Sequence, residues 1–269
     1  MAEKPNILFI MCDQMQARVL SAGSACITPN LDALAARGVR FERAYTPNAV
    51  CSPARASLMT GLLPHNHGVL FVTHTVDEDQ SCLREDKPHW AQFLRRSGYR
   101  TGYFGKWHIE RTNELARYGW QVNGSHGSAL YKKMKERHKP GKAPNYALVK
   151  RNDAPPGYDS DSILYGVTDV APAYRDVGWT TELALDFLDE SIGREQPWCC
   201  FVSYTDPHDP FICGEEAYSL YDPDSLELPP NAHDDLDGRP GLYRKAARVW
   251  TNMTETEKKQ AMACYYGSI

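Results

Sequence analysis

The run Ile7-Leu8-Phe9-Ile10-Met11-Cys12 constrains this chain more than any other stretch. Six apolar residues without a polar break cannot alternate between a core and water, so Asn6 to Cys12 is expected to be a central strand covered on both faces. Such a strand belongs to a parallel sheet flanked by helices, and the fold class is α/β. Pro197 to Tyr204 is a second buried strand. Elsewhere the spacing predicts helices over Thr28–Gly38, Pro88–Ser97, Trp179–Ile192 and Thr254–Tyr266, and strands over Val39–Tyr45 and Gly98–Phe104. Ligands of open α/β sheets collect beyond the carboxyl ends of strands, which puts Asp13 and Gln14 where a cation ligand is useful. An aspartate that merely starts a turn is the commoner case.

The stretch Cys51-Ser52-Pro53-Ala54-Arg55-Ala56-Ser57-Leu58-Met59-Thr60-Gly61 reads as a short helix. Ser52 suits the N-cap, Pro53 the first helical position and Gly61 the C′ position. Cys51 then lies just ahead of a helix N-terminus, where free N–H groups favour an anion. Arg55, one turn in, offers a planar fork for a tetrahedral oxyanion. Taken alone, a cysteine here is usually a small buried hydrophobe and the arginine a solvated one.

The family resemblance decides between these. Cys-x-Pro-x-Arg followed by Ala-Ser-Leu-Met-Thr-Gly, unbroken from Cys51 to Gly61, resembles the signature of the type I sulfatases. That resemblance implies an alkaline phosphatase-like α/β fold, a mostly parallel sheet flanked by helices. It also implies oxidation of Cys51 to Cα-formylglycine, whose hydrate is the nucleophile, by a formylglycine-generating enzyme. Asn6-Ile7-Leu8-Phe9-Ile10-Met11-Cys12-Asp13 is similar to the family's opening strand, whose aspartate binds a divalent cation. Gln14 stands where many members have a second aspartate, as in choline-sulfatase-like and phosphonate monoester hydrolase-like members; it coordinates through its amide oxygen or contacts substrate. The implied cation site is thus Asp13, Gln14 and residue 51, with calcium first and magnesium or manganese next, since these hard ions take oxygen ligands.

Gly98-Tyr99-Arg100-Thr101 with Gly105-Lys106-Trp107-His108 resembles the second sulfatase signature, in which lysine contacts the ester and histidine assists the nucleophile. Asp206-Pro207-His208-Asp209-Pro210-Phe211 resembles a third segment, whose histidine lies beside the leaving-group oxygen. The implied catalytic set is Cys51, Arg55, Lys106, His108 and His208. His74 is a further candidate for the substrate region, whereas His65, Asn66 and His67 read as loop residues outside the site. The activity implied is hydrolysis of a sulfate monoester to alcohol and sulfate. The alternatives are a phosphonate or phosphate diester hydrolase on the same scaffold, and a non-catalytic anion-binding fragment.

Residues 1–269 are expected to form the N-terminal catalytic portion of such an enzyme, because no Asp-His-Gly or Asp-Asn-Gly metal segment occurs. Residues 111–176, irregular and rich in Pro, Gly, Lys and Arg, are expected to insert as a lid or specificity loop. The net charge of −4 gives no global signal for nucleic acid or acidic membranes, so an anion site must be local. The first apolar run is too short for a signal peptide, making a cytoplasmic protein with mostly free thiols the expectation. Adjacent Cys199 and Cys200 read as packing residues.

Overall fold

Seven strands form two sheets among the described residues: β1 (Ile7–Cys12), β2 (Arg100–Gly105), β3 (Val122–Ser125), β4 (Tyr146–Arg151), β5 (Ile163–Thr168), β6 (Trp198–Tyr204) and β7 (Phe211–Gly214). The computed structural model describes residues 4–152, 161–247 and 252–269. The chain divides into two units. The first comprises Met1–Asp13, Val39–Lys139 and Pro172–Thr205; the second comprises Gln14–Gly38, Pro140–Ala171 and Asp206–Ile269.

The first unit holds a parallel sheet of order β1-β6-β2-β3, with Ile7 opposite Cys199 and Arg100 opposite Trp198. Alternate residues of β6 serve opposite faces, as the two-residue period of a strand requires. Cys199 and Phe201 join Ala56, Met59, Ala91, Tyr103 and Trp120 in one core, under the helices Cys51–Thr60 and Trp90–Arg96. Cys200 and Val202 join Phe104, Met134, Trp179, Leu183 and Phe187 in the other, under the helices Ala129–Arg137 and Asp176–Ser191. Burial pushes both thiols up to about 12, so Cys199 and Cys200 are inert packing groups, as their apolar setting predicts.

The expectation of a central β1 is corrected. β1 pairs only with β6 among the described residues and stands at the sheet edge. Phe9 stacks on Phe201 at 4.6 Å, while Leu8 and Ile10 remain 49% and 57% exposed. The residues of the second core, which packs on the other face, come from β2, β6 and the two helices and include none of β1. Val39–Tyr45 is likewise corrected, since no strand forms there. Val39, Phe41 and Tyr45 are each at least 80% exposed, and alternation without a partner ladder does not hold a strand. Residues 111–176 are more regular than their composition suggests, for they contain β3, the helix Ala129–Arg137, β4 and β5. In β3 the sequence Val-Asn-Gly-Ser has no strand pattern of its own; the neighbouring β2 imposes it. The run Asp-Ala-Pro-Pro-Gly-Tyr-Asp, residues 153–159, lies outside the described residues.

In the second unit β5 pairs antiparallel with β4 and parallel with β7. The helix Glu255–Gly267 starts on a capping box between Thr254 and Glu257 and packs Ala261 and Cys264 against Tyr165, Val167 and Cys213. No helix among the described residues is long and apolar enough to cross a membrane.

His89 gives the first core a share of pH-dependent stability. His89 has no exposed surface and lies between Tyr118 and Trp107, at ring distances of 4.4 and 6.1 Å. Burial, aided by Arg117 and His67, holds its pKa down at about 4. The unfolded chain takes up a proton below its ordinary pKa of about 6.5 and the folded chain does not until about 4. Stability is therefore full above pH ~6.5 and falls by about 3 kcal/mol as pH drops through this window. Urea melts from pH 7 to 4 should show this slope, and His89→Leu should remove the share of His89 while buried His108 and His67 keep theirs; an unchanged slope would refute the assignment.

Candidate active site

Two strand ends and one helix start build the site in the first unit. The Asp13 N–H donates to Tyr204 O at 3.2 Å and the Lys106 N–H to Ser203 O at 2.9 Å. Both ladders to β6 thus run one residue past the strands and hold these side chains at the carboxyl edge of the sheet. Gly105 makes the approach feasible: its φ is +89°, and a Cβ there would stand 2.1 Å from Ser203 O.

The helix begins at Cys51, with Val50 as N-cap, two residues before the expected start. The first intrahelical bond runs from Ala54 N–H to Val50 O. Ser52 does not cap; its Oγ accepts from the Thr73 N–H at 3.3 Å. Gly61 closes the helix in the left-handed conformation, as its position predicts. Cys51 therefore sits in the first turn, among N–H groups that have no carbonyl partner within the helix.

Cys51 Sγ lies 3.7 Å from Asp13 Oδ1 and 3.9 Å from Lys106 Nζ. Asp13 Oδ2 receives Lys106 Nζ at 2.6 Å and an Arg55 nitrogen at 3.0 Å. These three charged side chains are only 4–12% exposed. Two cations against one carboxylate leave positive charge in excess beside the thiol, the local anion site that the overall charge of −4 hides. Arg55 also donates to Lys106 O at 2.6 Å and to Ser203 Oγ at 2.7 Å, so its fork is turned onto protein acceptors. Tyr103 Oη and Ser203 Oγ donate to the same Lys106 carbonyl at 2.6 and 2.8 Å.

His108 follows Trp107, which is buried in the first core. Its Nε2 lies 2.8 Å from His74 Nδ1. Burial lowers its pKa to about 4, with Lys106, His74 and Arg55 adding to the effect and Asp13 opposing it. His108 is consequently a neutral base at neutral pH. The first unit thus brings together Cys51, Asp13, Arg55 and Lys106, with His108 in their electrostatic field. Gln14 and His208 belong to the second unit. There Gln14 has φ +63° and its carbonyl accepts from Tyr265 Oη at 2.9 Å, while His208 Nδ1 lies 2.6 Å from Asp209 O.

For a hard divalent ion the first unit offers the right chemistry in part. Asp13 Oδ1 faces Cys51 Sγ at 3.7 Å while Oδ2 takes both cations, and an oxygen on residue 51 would stand beside Oδ1. That is fewer oxygens than the six to eight that calcium takes.

Sequence reasoning did not find Ser203, Tyr103 or His67. His67 is fully buried, and its Nδ1 accepts from the Val69 N–H at 3.1 Å. Its Nε2–H therefore donates to Ser57 Oγ on the cysteine helix at 2.9 Å. Ser203 carried a signal, as a small hydroxyl residue near the carboxyl end of an otherwise apolar strand.

A family model described as Sulfatase matches residues 5–269, and the chain belongs to the sulfatase family. It is 29% identical to the uncharacterised sulfatase YidJ of Escherichia coli, over 92% of this chain and 47% of that protein. It is 32% identical to the choline-sulfatase of Rhizobium meliloti, over 81% of this chain and 41% of that protein. Among solved structures, the phosphonate monoester hydrolase of Silicibacter pomeroyi is similar with a TM-score of 0.69 and 25% identity, over 98% of this chain and 56% of that one. The α/β architecture is accordingly alkaline phosphatase-like. The chain spans about half the length of the relatives it matches.

Proposed function

We propose that this protein hydrolyses sulfate monoesters, with formylglycine made from Cys51 as the source of the nucleophile. The observation that carries the reading is the Cys51 side chain in the first turn of its helix, between Asp13 and the Lys106 ammonium. The aldehyde hydrate supplies a hydroxyl to sulfur and a second hydroxyl whose collapse to the carbonyl releases sulfate. Cys51 reaches that state through a formylglycine-generating enzyme. A divalent cation, calcium first and magnesium or manganese next, would be held by Asp13, Gln14 and the residue-51 oxygen and would polarise ester oxygens.

The remaining roles fall to side chains of the chain itself. Lys106 offsets charge on the ester oxygens, and Arg55 fixes Asp13 and the Lys106 backbone so that this field needs no reorganisation. Neutral His108 accepts the proton released when the hydrate collapses. His208 gives a proton to the departing alkoxide.

Trypsin releases Ala44–Arg55 as one peptide containing Cys51. In active protein this peptide should be lighter than its thiol form by the exchange of SH and H for a carbonyl oxygen; an unmodified thiol at full activity would refute the nucleophile. The likeness to a phosphonate monoester hydrolase supports a second reading. Turnover of an aryl sulfate, a phosphate diester and phenylphosphonate, measured side by side, separates the two.

A further inference from the structure

We infer that His74 is a positioning residue: its Nδ1 accepts the His108 Nε2–H and so leaves His108 Nδ1 as the bare, proton-accepting nitrogen. The catalytic meaning of this inference rests on the proposed ester hydrolysis; the tautomer itself rests on geometry.

The two rings lie 2.8 Å apart between Nε2 of His108 and Nδ1 of His74, with centroids 4.8 Å apart and planes 27° from parallel. Each ring is anchored through its neighbours in sequence. Trp107 and Ile109, on either side of His108, are buried in the first core, and Trp107 meets Tyr103 edge-on at 5.1 Å. Between them His108 adopts φ +53°, a conformation that a residue with a side chain keeps only where its surroundings fix it. Thr73, before His74, is buried and donates its N–H to Ser52 Oγ, next to Cys51 on the cysteine helix. The pair is thus tied to the core on one side and to the nucleophile helix on the other.

A hydrogen bond between two imidazoles needs one N–H and one lone pair. His108 Nδ1 is buried and makes no hydrogen bond. If His74 were the donor, His108 would carry its proton on Nδ1, leaving a buried N–H with no acceptor, the rarer and costlier kind of orphan. With His108 as donor, the buried nitrogen is a lone pair, which the proton of the hydrate can fill. The imidazolium then formed keeps its Nε2–H on His74, as an orienting acceptor holds the base of a nucleophile–base pair. Lys106 and Arg55, which contribute to keeping His108 neutral, make that acceptor more useful.

Two substitutions test this in the whole protein. His74→Asn keeps an acceptor oxygen near the place of Nδ1, whereas His74→Leu removes it. Long-range ¹⁵N–¹H spectra, with His108 assigned by comparison with His108→Gln, should show His108 protonated on Nε2 in the unsubstituted protein and in His74→Asn, and a mixture of tautomers in His74→Leu. On an aryl sulfate, kcat should fall on the order of 10- to 100-fold in His74→Leu with little change in KM. His74→Asn should restore most of it. A proton on Nδ1 of His108 in the unsubstituted protein, or a spectrum and kcat untouched by His74→Leu, would overturn the inference. Absence of sulfate release by the unsubstituted protein overturns the ester reading instead and leaves the spectra to decide the role of His74.

Discussion

Cys51→Ala should reduce sulfate ester turnover by at least about 10⁴-fold in kcat, the scale on which loss of a nucleophile is felt. The thiol is only half-buried and makes long contacts of 3.7 and 3.9 Å, so the same variant should melt within about 0.5 kcal/mol of the parent. That contrast separates lost chemistry from lost folding. Cys51→Ser sharpens the test, because serine offers one hydroxyl and no route back to a carbonyl. It should take up a sulfuryl group from an aryl sulfate once and keep it, with the mass of the Ala44–Arg55 peptide raised accordingly. Multiple turnover by either variant would remove residue 51 from the mechanism.

How much of this was legible in the sequence depended on whether a feature is local. The Cys51–Thr60 helix and its Gly61 stop follow from residues within one turn, and only its start differs, by two residues. Asp13 and Lys106 could be placed because an apolar strand that ends in a polar residue marks its own carboxyl end. Their meeting at 2.6 Å needed β6 between their strands, since β6 donates no side chain to the ion pair yet fixes both backbones. Pairing is also what misled. Val39–Tyr45 has the alternation of a strand and no ladder to join, and β1 has the composition of a central strand and a partner on one edge. Ser203 and Tyr103 act on Lys106 O across a backbone hub, and for Ser203 the partner is 97 residues away. Periodicity carries no information at that range. The short contact between His74 and His108 joins residues 34 apart for the same reason.

Asp13→Asn tests the electrostatic core of the site from the side of stability. It keeps the shape of the side chain and removes the one charge that faces both Arg55 and Lys106. Taking one partner from a buried ion pair typically costs about 3–5 kcal/mol, because what remains is an uncompensated buried charge. Here two cations would remain, at 4% and 12% exposure, so the upper part of that range is expected. For a chain of this size the melting temperature should drop by roughly 10–20 °C. Lys106→Met should cost less, since Asp13 keeps Arg55 as its partner. Adding Lys106→Met to Asp13→Asn should then recover part of the loss, giving a coupling of about 1–3 kcal/mol in a double-mutant cycle. Because the three groups are shielded from water, 0.5 M salt should change this coupling little, unlike that of an exposed pair. An Asp13→Asn protein as stable as the parent would mean that the two cations are satisfied without the carboxylate.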